Sequence, residues 1–208
     1  MDKIDRLGWA AGICFEAYGL RVGVRVNKPE ALEQVQALLP PGWRPVPPPF
    51  VDYLYSLRVG GVSADGKVRN FHLLYSGLAR LSRTMDLQEC LGTLEQRLHH
   101  FIAEYAKERV FVHAGVVGWQ GKAILVPGRS LSGKSRLVAA LLKMGATYYS
   151  DEYAILDADG RVEPFPRALS WRDEDGGVRR LQPELLTERV GAAPLPAALV
   201  AAARYREG

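Results

Sequence analysis

At 208 residues, 48% of them hydrophobic and 24% charged, the chain is long enough for one large or two small cores and too apolar for a disordered tail. Lysine plus arginine exceed aspartate plus glutamate by 27 to 23, and no basic run gathers that surplus into a stripe, so no nucleic-acid partner is expected. No stretch nears the roughly 18 apolar residues of a membrane span, no basic-then-apolar leader opens the chain, and two cysteines, Cys14 and Cys90, lack metal-ligand spacing. A cytoplasmic protein with reduced, buried thiols and no membrane partner is the expectation.

Residues 12–26 predict a hairpin, with Val22, Val24 and Val26 alternating against Arg21, Gly23 and Arg25 and Gly19 at the turn. Asn27 stands where an N-cap belongs, Pro29 at the first helical position, and Leu32, Val35 and Leu38 on one side of a short helix. Six prolines between Pro40 and Pro49 end that helix and impose an extended connector. Pro45-Val46-Pro47-Pro48 formally matches a PxxP ligand, for which a rigid connector is the favoured reading. Residues 50–58 and 68–75 read as strands around a glycine-rich loop that includes Asp65 and Gly66.

From Asp86 a long helix is predicted, its stripe formed by Leu87, Leu91, Leu94, Leu98, Phe101, Ile102 and Tyr105, packing between the two halves of the chain. His99 and His100 point about 100 degrees apart on it and are read as surface residues, while His72 is read as a hydrogen-bonded structural histidine. Strands then follow at residues 110–117 and 122–126 about Gln120-Gly121, and at 146–150. A hairpin is expected around Asp159-Gly160. Asp173, Glu174 and Asp175 read as a solvated acidic loop, and the alanine-rich stretch before Arg204 as helix-like.

The chemistry concentrates between residues 123 and 152. Ala123-Ile124-Leu125-Val126 runs into Gly128-Arg129-Ser130-Leu131-Ser132-Gly133-Lys134-Ser135, and a stretch of helix formers from Arg136 to Met144 follows, the order strand, loop, helix. Glycines at 128 and 133 let backbone amides converge on phosphate oxygens, and the helix N-terminus adds positive potential. Lys134 supplies a cation to the β and γ phosphates, and the Ser135 hydroxyl a magnesium ligand. The pattern predicts a site for a nucleoside triphosphate formed by Gly128, Arg129, Ser130, Leu131, Ser132, Gly133, Lys134 and Ser135. Gly145 suits the helix end, and the next strand delivers Asp151 and Glu152 at its carboxyl end, where a carboxylate can serve magnesium or take a proton from an attacking hydroxyl.

Val112-His113-Ala114-Gly115-Val116-Val117, the loop from Gly128 to Ser135, and Tyr149-Ser150-Asp151-Glu152 together resemble the HPr kinase/phosphorylase catalytic domain over residues 109–172. The resemblance implies an α/β fold, a P-loop kinase domain of the HPr kinase/PEP carboxykinase-like type, with ATP and magnesium (Mg2+) and frequent oligomerisation. It places His113 near the transferred phosphoryl group and makes Asp151 the activator of an acceptor serine hydroxyl. Glu152 stands where the family carries a second aspartate and Arg136 where bifunctional members often carry an acidic residue. Ser170-Trp171-Arg172 matches the family's later motif only loosely, so the likeness does not extend to phosphorylase activity.

The expected organisation is a strand-rich α+β region over residues 1–84 for substrate or partner recognition, a connecting helix over 85–108, and a P-loop domain over 109–208 that is short for the family. The expected reaction transfers the γ-phosphoryl group of ATP to a hydroxyl, most plausibly serine in a peptide, protein or small molecule. Asp151, Lys134 and His113 would be catalytic, and Ser135 and Glu152 would serve the metal. Two alternatives stay open: a non-catalytic ATP-binding regulator or adaptor, and a simple ATPase.

Overall fold

The computed structural model describes residues 3–48, 50–62, 69–128, 132–172 and 177–202. The protein is α/β, with two six-stranded mixed sheets and few helices, and divides into compact units at residues 1–107 and 108–208. Among the described residues no helix is long and apolar enough to cross a membrane.

The first unit holds β1 (Ala11–Ala17), β2 (Leu20–Val26), α1 (Leu32–Gln36), β3 (Arg44–Pro45), β4 (Tyr53–Arg58), β5 (Gly61–Val62), β6 (Arg69–Asn70), β7 (His72–Ser76), β8 (Ala79–Thr84) and α2 (Leu87–Tyr105). Its main sheet runs β3-β1-β2-β4-β7-β8, with β2 and β4 parallel and the other neighbours antiparallel. The β1–β2 hairpin turns at Tyr18 and Gly19, both at positive φ, and the alternation of β2 buries Val22, Val24 and Val26. The proline connector lends Arg44–Pro45 to the sheet edge, where a residue without an amide hydrogen is tolerated.

Helix α2 is part of this unit and packs on β7 and β8. Asp86 caps it, its carboxylate accepting from the Gln88 amide at 2.8 Å, and Leu91, Leu94, Leu98 and Ile102 are buried. The Tyr55 hydroxyl donates to the Arg97 carbonyl at 3.0 Å.

Two expectations for this region fail for tertiary reasons. Asn27 does not cap a helix: its side chain accepts from the Val59 amide and donates to the Val59 carbonyl, while Pro29–Ala31 forms a 3-10 turn ahead of α1 without a side-chain cap. His99 is not a surface residue; it is buried, with Nε2 2.8 Å from the Leu38 carbonyl, whereas His100 is exposed beside Glu104. His72 accepts from the Gly60 amide through Nδ1, the structural role expected of it. Cys90 is buried, Cys14 partly so, and both are free. Asp65 and Gly66 of the glycine-rich loop lie outside the described residues.

The second unit contains β9 (Val110–Trp119), β10 (Lys122–Pro127), α3 (Lys134–Lys143), β11 (Thr147–Ser150), β12 (Tyr153–Leu156), β13 (Arg161–Glu163), β14 (Leu169–Arg172), β15 (Val178–Leu181) and β16 (Leu195–Val200). Pairings run β9–β10–β16–β13–β12 and back to β9, so the sheet closes on itself, with β10 and β16 parallel. Small residues suit so tight a closure: Ala114, Ala123 and Ala154 share a core with Val116, Leu125 and Val162. A second cluster joins Val138 and Leu142 of α3 to Val117, Tyr148 and Leu169.

Helix α3 ends as Gly145 predicts, in a left-handed residue with the Ala146 amide bonded to Leu141 and the Gly145 amide to Leu142. The Asp159-Gly160 hairpin forms, fixed by the Asp157 carboxylate accepting from the Asp159 and Arg161 amides. The alanine-rich stretch expected to be helical is strand β16. Pro194 and Pro196 disfavour a helix there, and the free edges of β10 and β13 supply ladder partners. Asp173, Glu174 and Asp175 lie outside the described residues.

Candidate functional site

Strand β9 organises the site. Its two edges carry β10 and β11, each antiparallel to it, so these two strands run in the same direction and finish at the same end. Pro127 pairs with Ala114, Ser150 with Val116, and Tyr153 with His113, which brings the residues after β10, the Asp151-Glu152 bend and His113 to one end of the sheet. At that bend the ladder along β9 breaks, and the fully buried Ser150 hydroxyl accepts from the Glu152 and Tyr153 amides at 3.2 and 3.1 Å.

Helix α3 crosses this end close to β9 because position 115 lacks a side chain. A Cβ on Gly115 would stand 2.6 Å from Val138 Cγ2 and 3.2 Å from Lys134 Cγ. The helix begins at Gly133, whose φ of 88° is the left-handed conformation that favours glycine, and neither a capping side chain nor an acidic residue covers its first turn. Backbone amides at a helix start of this kind are suited to an anion. A Cβ on Gly128 would stand 2.3 Å from the Ser132 hydroxyl, which would have to turn aside. That hydroxyl is buried and has no hydrogen-bond partner among the described residues. Arg129, Ser130 and Leu131, the middle of the expected loop, lie outside the described residues.

Lys134 is only 7% exposed, and its ammonium lies 2.9 Å from His113 Nε2. Burial pulls the Lys134 pKa below the ordinary lysine value, while the Asp151 and Glu152 carboxylates pull the other way and favour the charged form. His113 is shifted down as well, by burial first and then by the Lys134 charge, with Glu152 opposing. An ammonium has only donors, so the contact makes the imidazole neutral, with Nε2 accepting and the ring proton on Nδ1.

The Ser135 hydroxyl donates to Asp151 Oδ2 at 2.7 Å, and Asp151 is 7% exposed. Glu152 turns elsewhere: its carboxylate accepts from the Arg167 guanidinium at 2.7 Å. Arg167 in turn offers its carbonyl to the buried Tyr148 hydroxyl, whose pKa burial raises. Beside His113 stands the Tyr153 ring, its phenol pushed up to about 12 chiefly by burial, with Phe111 and Phe165 packed edge-on against it.

The expected residues therefore fall into two contacts, Lys134 with His113 and Ser135 with Asp151, while Glu152 is drawn to Arg167. No group of three or more histidine, cysteine, aspartate or glutamate side chains able to hold a metal occurs among the described residues. Magnesium does not require one, because it keeps waters and commonly takes one or two protein ligands plus substrate phosphates. A hydroxyl and a carboxylate in contact, next to a helix start without a side-chain cap at Gly133 and a buried hydroxyl without a partner among the described residues, fit magnesium with a phosphate-bearing ligand.

Arg167 and Tyr153 belong to no motif of the sequence, and Ser150 stands in the Tyr149–Glu152 motif without a role of its own. Arg167 follows Phe165-Pro166 without a motif, and only the fold brings it to Glu152. Compared with protein-family models, curated proteins and solved structures, the chain gives no match.

Proposed function

We propose that the second unit binds a magnesium nucleoside triphosphate, ATP in the first instance, at the start of α3 and transfers its γ-phosphoryl group to a hydroxyl, in the manner of a P-loop kinase of the HPr kinase-like type. The observation that carries this reading is the convergence at one sheet end of an uncapped helix N-terminus, a buried lysine and a serine–aspartate contact.

In this reading the amides of the first turn and the Lys134 ammonium bind phosphate oxygens and stabilise charge that builds on them during transfer. Ser135 and Asp151 would hold magnesium, which when bound supplies further neutralisation of the phosphate charge. Engagement with Arg167 leaves Glu152 an electrostatic neighbour of Lys134 and His113. The acceptor carries a hydroxyl, for which serine in a peptide, a protein or free form is the first candidate.

The test incubates labelled ATP and magnesium with the full chain, serine peptides and free serine, alongside Lys134→Met and Asp151→Asn. Label on an acceptor, lost in both variants, is the expected result. Binding of ATP without transfer would replace the kinase with a regulator or adaptor, and release of phosphate alone would make it an ATPase. Losing the Lys134 contact should weaken nucleotide binding by ~1.5–3 kcal/mol, the usual worth of a hydrogen bond to a charged group, or roughly one to two powers of ten in Kd. Undiminished affinity in Lys134→Met would refute the phosphate site.

A further inference from the structure

Two groups near the start of α3 can take a proton from an incoming hydroxyl, and they differ in access. Asp151 is buried and already accepts from Ser135, whereas His113 is exposed on β9. The accessible base, however, is blocked: the Lys134 ammonium, 2.9 Å away, occupies the Nε2 lone pair.

We infer that Lys134 gates His113, the ammonium leaving Nε2 for phosphate oxygens when a nucleotide binds and the freed lone pair then accepting the proton of the acceptor hydroxyl. This rests on the phosphate-site reading above. An oxyanion competes well for the ammonium, since a charge-assisted contact between opposite ions is stronger than one to a neutral imidazole nitrogen.

The atoms balance without a further reactant. The acceptor oxygen forms a bond to the γ-phosphorus as its proton passes to Nε2. The bond from that phosphorus to the β–γ bridging oxygen breaks, and the electron pair stays with the departing nucleoside diphosphate. His113, now an imidazolium, returns its proton to solvent. Among the described residues, the side chains that face the ring electrostatically or by packing are Lys134 from α3, Glu152 from the bend and Tyr153 from β12. The Glu152 charge favours the imidazolium and so supports its formation once Lys134 has moved. The coupling makes the base available only when phosphate is in place, which imposes nucleotide before acceptor.

Long-range histidine nitrogen spectra of the full 15N-labelled chain test this, because the sequence holds four histidines and His113→Gln assigns the one that matters. At about pH 8, above the ordinary histidine range, the ring is neutral and Nε2 reports only its hydrogen bond. Adding magnesium with the β,γ-imido analogue of ATP should move the His113 Nε2 resonance downfield, towards a pyridine-type nitrogen without a strong donor. The resonances of His72, His99 and His100 should stay in place. Lys134→Met should produce the same displacement with no analogue present. If the analogue binds, by calorimetry on the same sample, and His113 Nε2 does not move, the gate is refuted while the phosphate site stands. If the analogue does not bind at all, the phosphate site falls and the gate with it.

Discussion

Gly115→Ala places one methyl group where α3 comes closest to β9. The added Cβ would lie 2.6 Å from Val138 Cγ2, whereas carbon atoms in contact prefer about 3.5–4.0 Å, so close to 1 Å must be found. Val138 cannot supply it by turning aside, being fully buried and stiff at χ1. The helix must therefore lift, carrying Lys134, whose Cγ is the next atom met at 3.2 Å. Overpacking of this kind costs ~1–3 kcal/mol, offset by ~0.4–1 kcal/mol because alanine restricts the unfolded chain more than glycine, for a net loss of ~1–2 kcal/mol. Urea denaturation of Gly115→Ala, Val138→Ala and the double variant measures this, with a fluorescent probe in the second unit because the two units need not unfold together. Removing Val138 Cγ2 opens the space that the new methyl needs, so the double variant should be more stable than the sum of the two losses by ~1 kcal/mol or more. Additive losses would show that the strand and helix do not meet at Gly115. A destabilised Gly115→Ala that still binds nucleotide with unchanged affinity would show that the position of Lys134 does not depend on this contact.

Gly133→Ala forces a side chain into the left-handed region and should cost ~1–2 kcal/mol, with Gly133→Asn costing less; equal losses in denaturation would point to a clash rather than backbone strain. The pH dependence of folding has a definite sign. His113 titrates below its ordinary value when folded, so as pH falls the unfolded chain takes this proton first, and stability drops from about pH 6.5 downward through the folded pKa. His72 acts in the same direction. His113→Gln should therefore reduce the slope of stability against pH in that window without abolishing it, and an unchanged slope would contradict the lowered pKa of the folded ring.

The local parts of the site are legible in the sequence because glycine and the apolar runs act on their own neighbourhood. Gly133 and Gly145 bracket α3, and the apolar residues 123–126 form the strand leading to it. Contacts made across the fold are less accessible. That Asp151 should follow a strand is readable, but its bond to Ser135 depends on β10 and β11 flanking β9, which no local pattern specifies. Arg167 reaches Glu152 through the loop after β13, with no periodicity to mark it. Asn27 shows a tertiary contact overriding a local preference, since two bonds to Val59 outweigh one to a helix start. His99 lies beside the apolar stripe of α2 rather than in it, and its burial depends on the Leu38 carbonyl, a tertiary partner of its Nε2 that no local pattern marks.

The closure of the second sheet also constrains the order in which the chain can fold. Strand β10 lies between β9, which precedes it directly, and β16, which follows it only after α3 and β11 to β15. On a ribosome the strand leading to Gly128 therefore waits with one unpaired edge while α3 and five further strands are made, and such an edge is a template for pairing with another chain. Removing residues 195–200 would keep every side chain assigned to the phosphate site and still leave that edge open. Poor recovery of so shortened a protein would report on its folding route rather than on its chemistry.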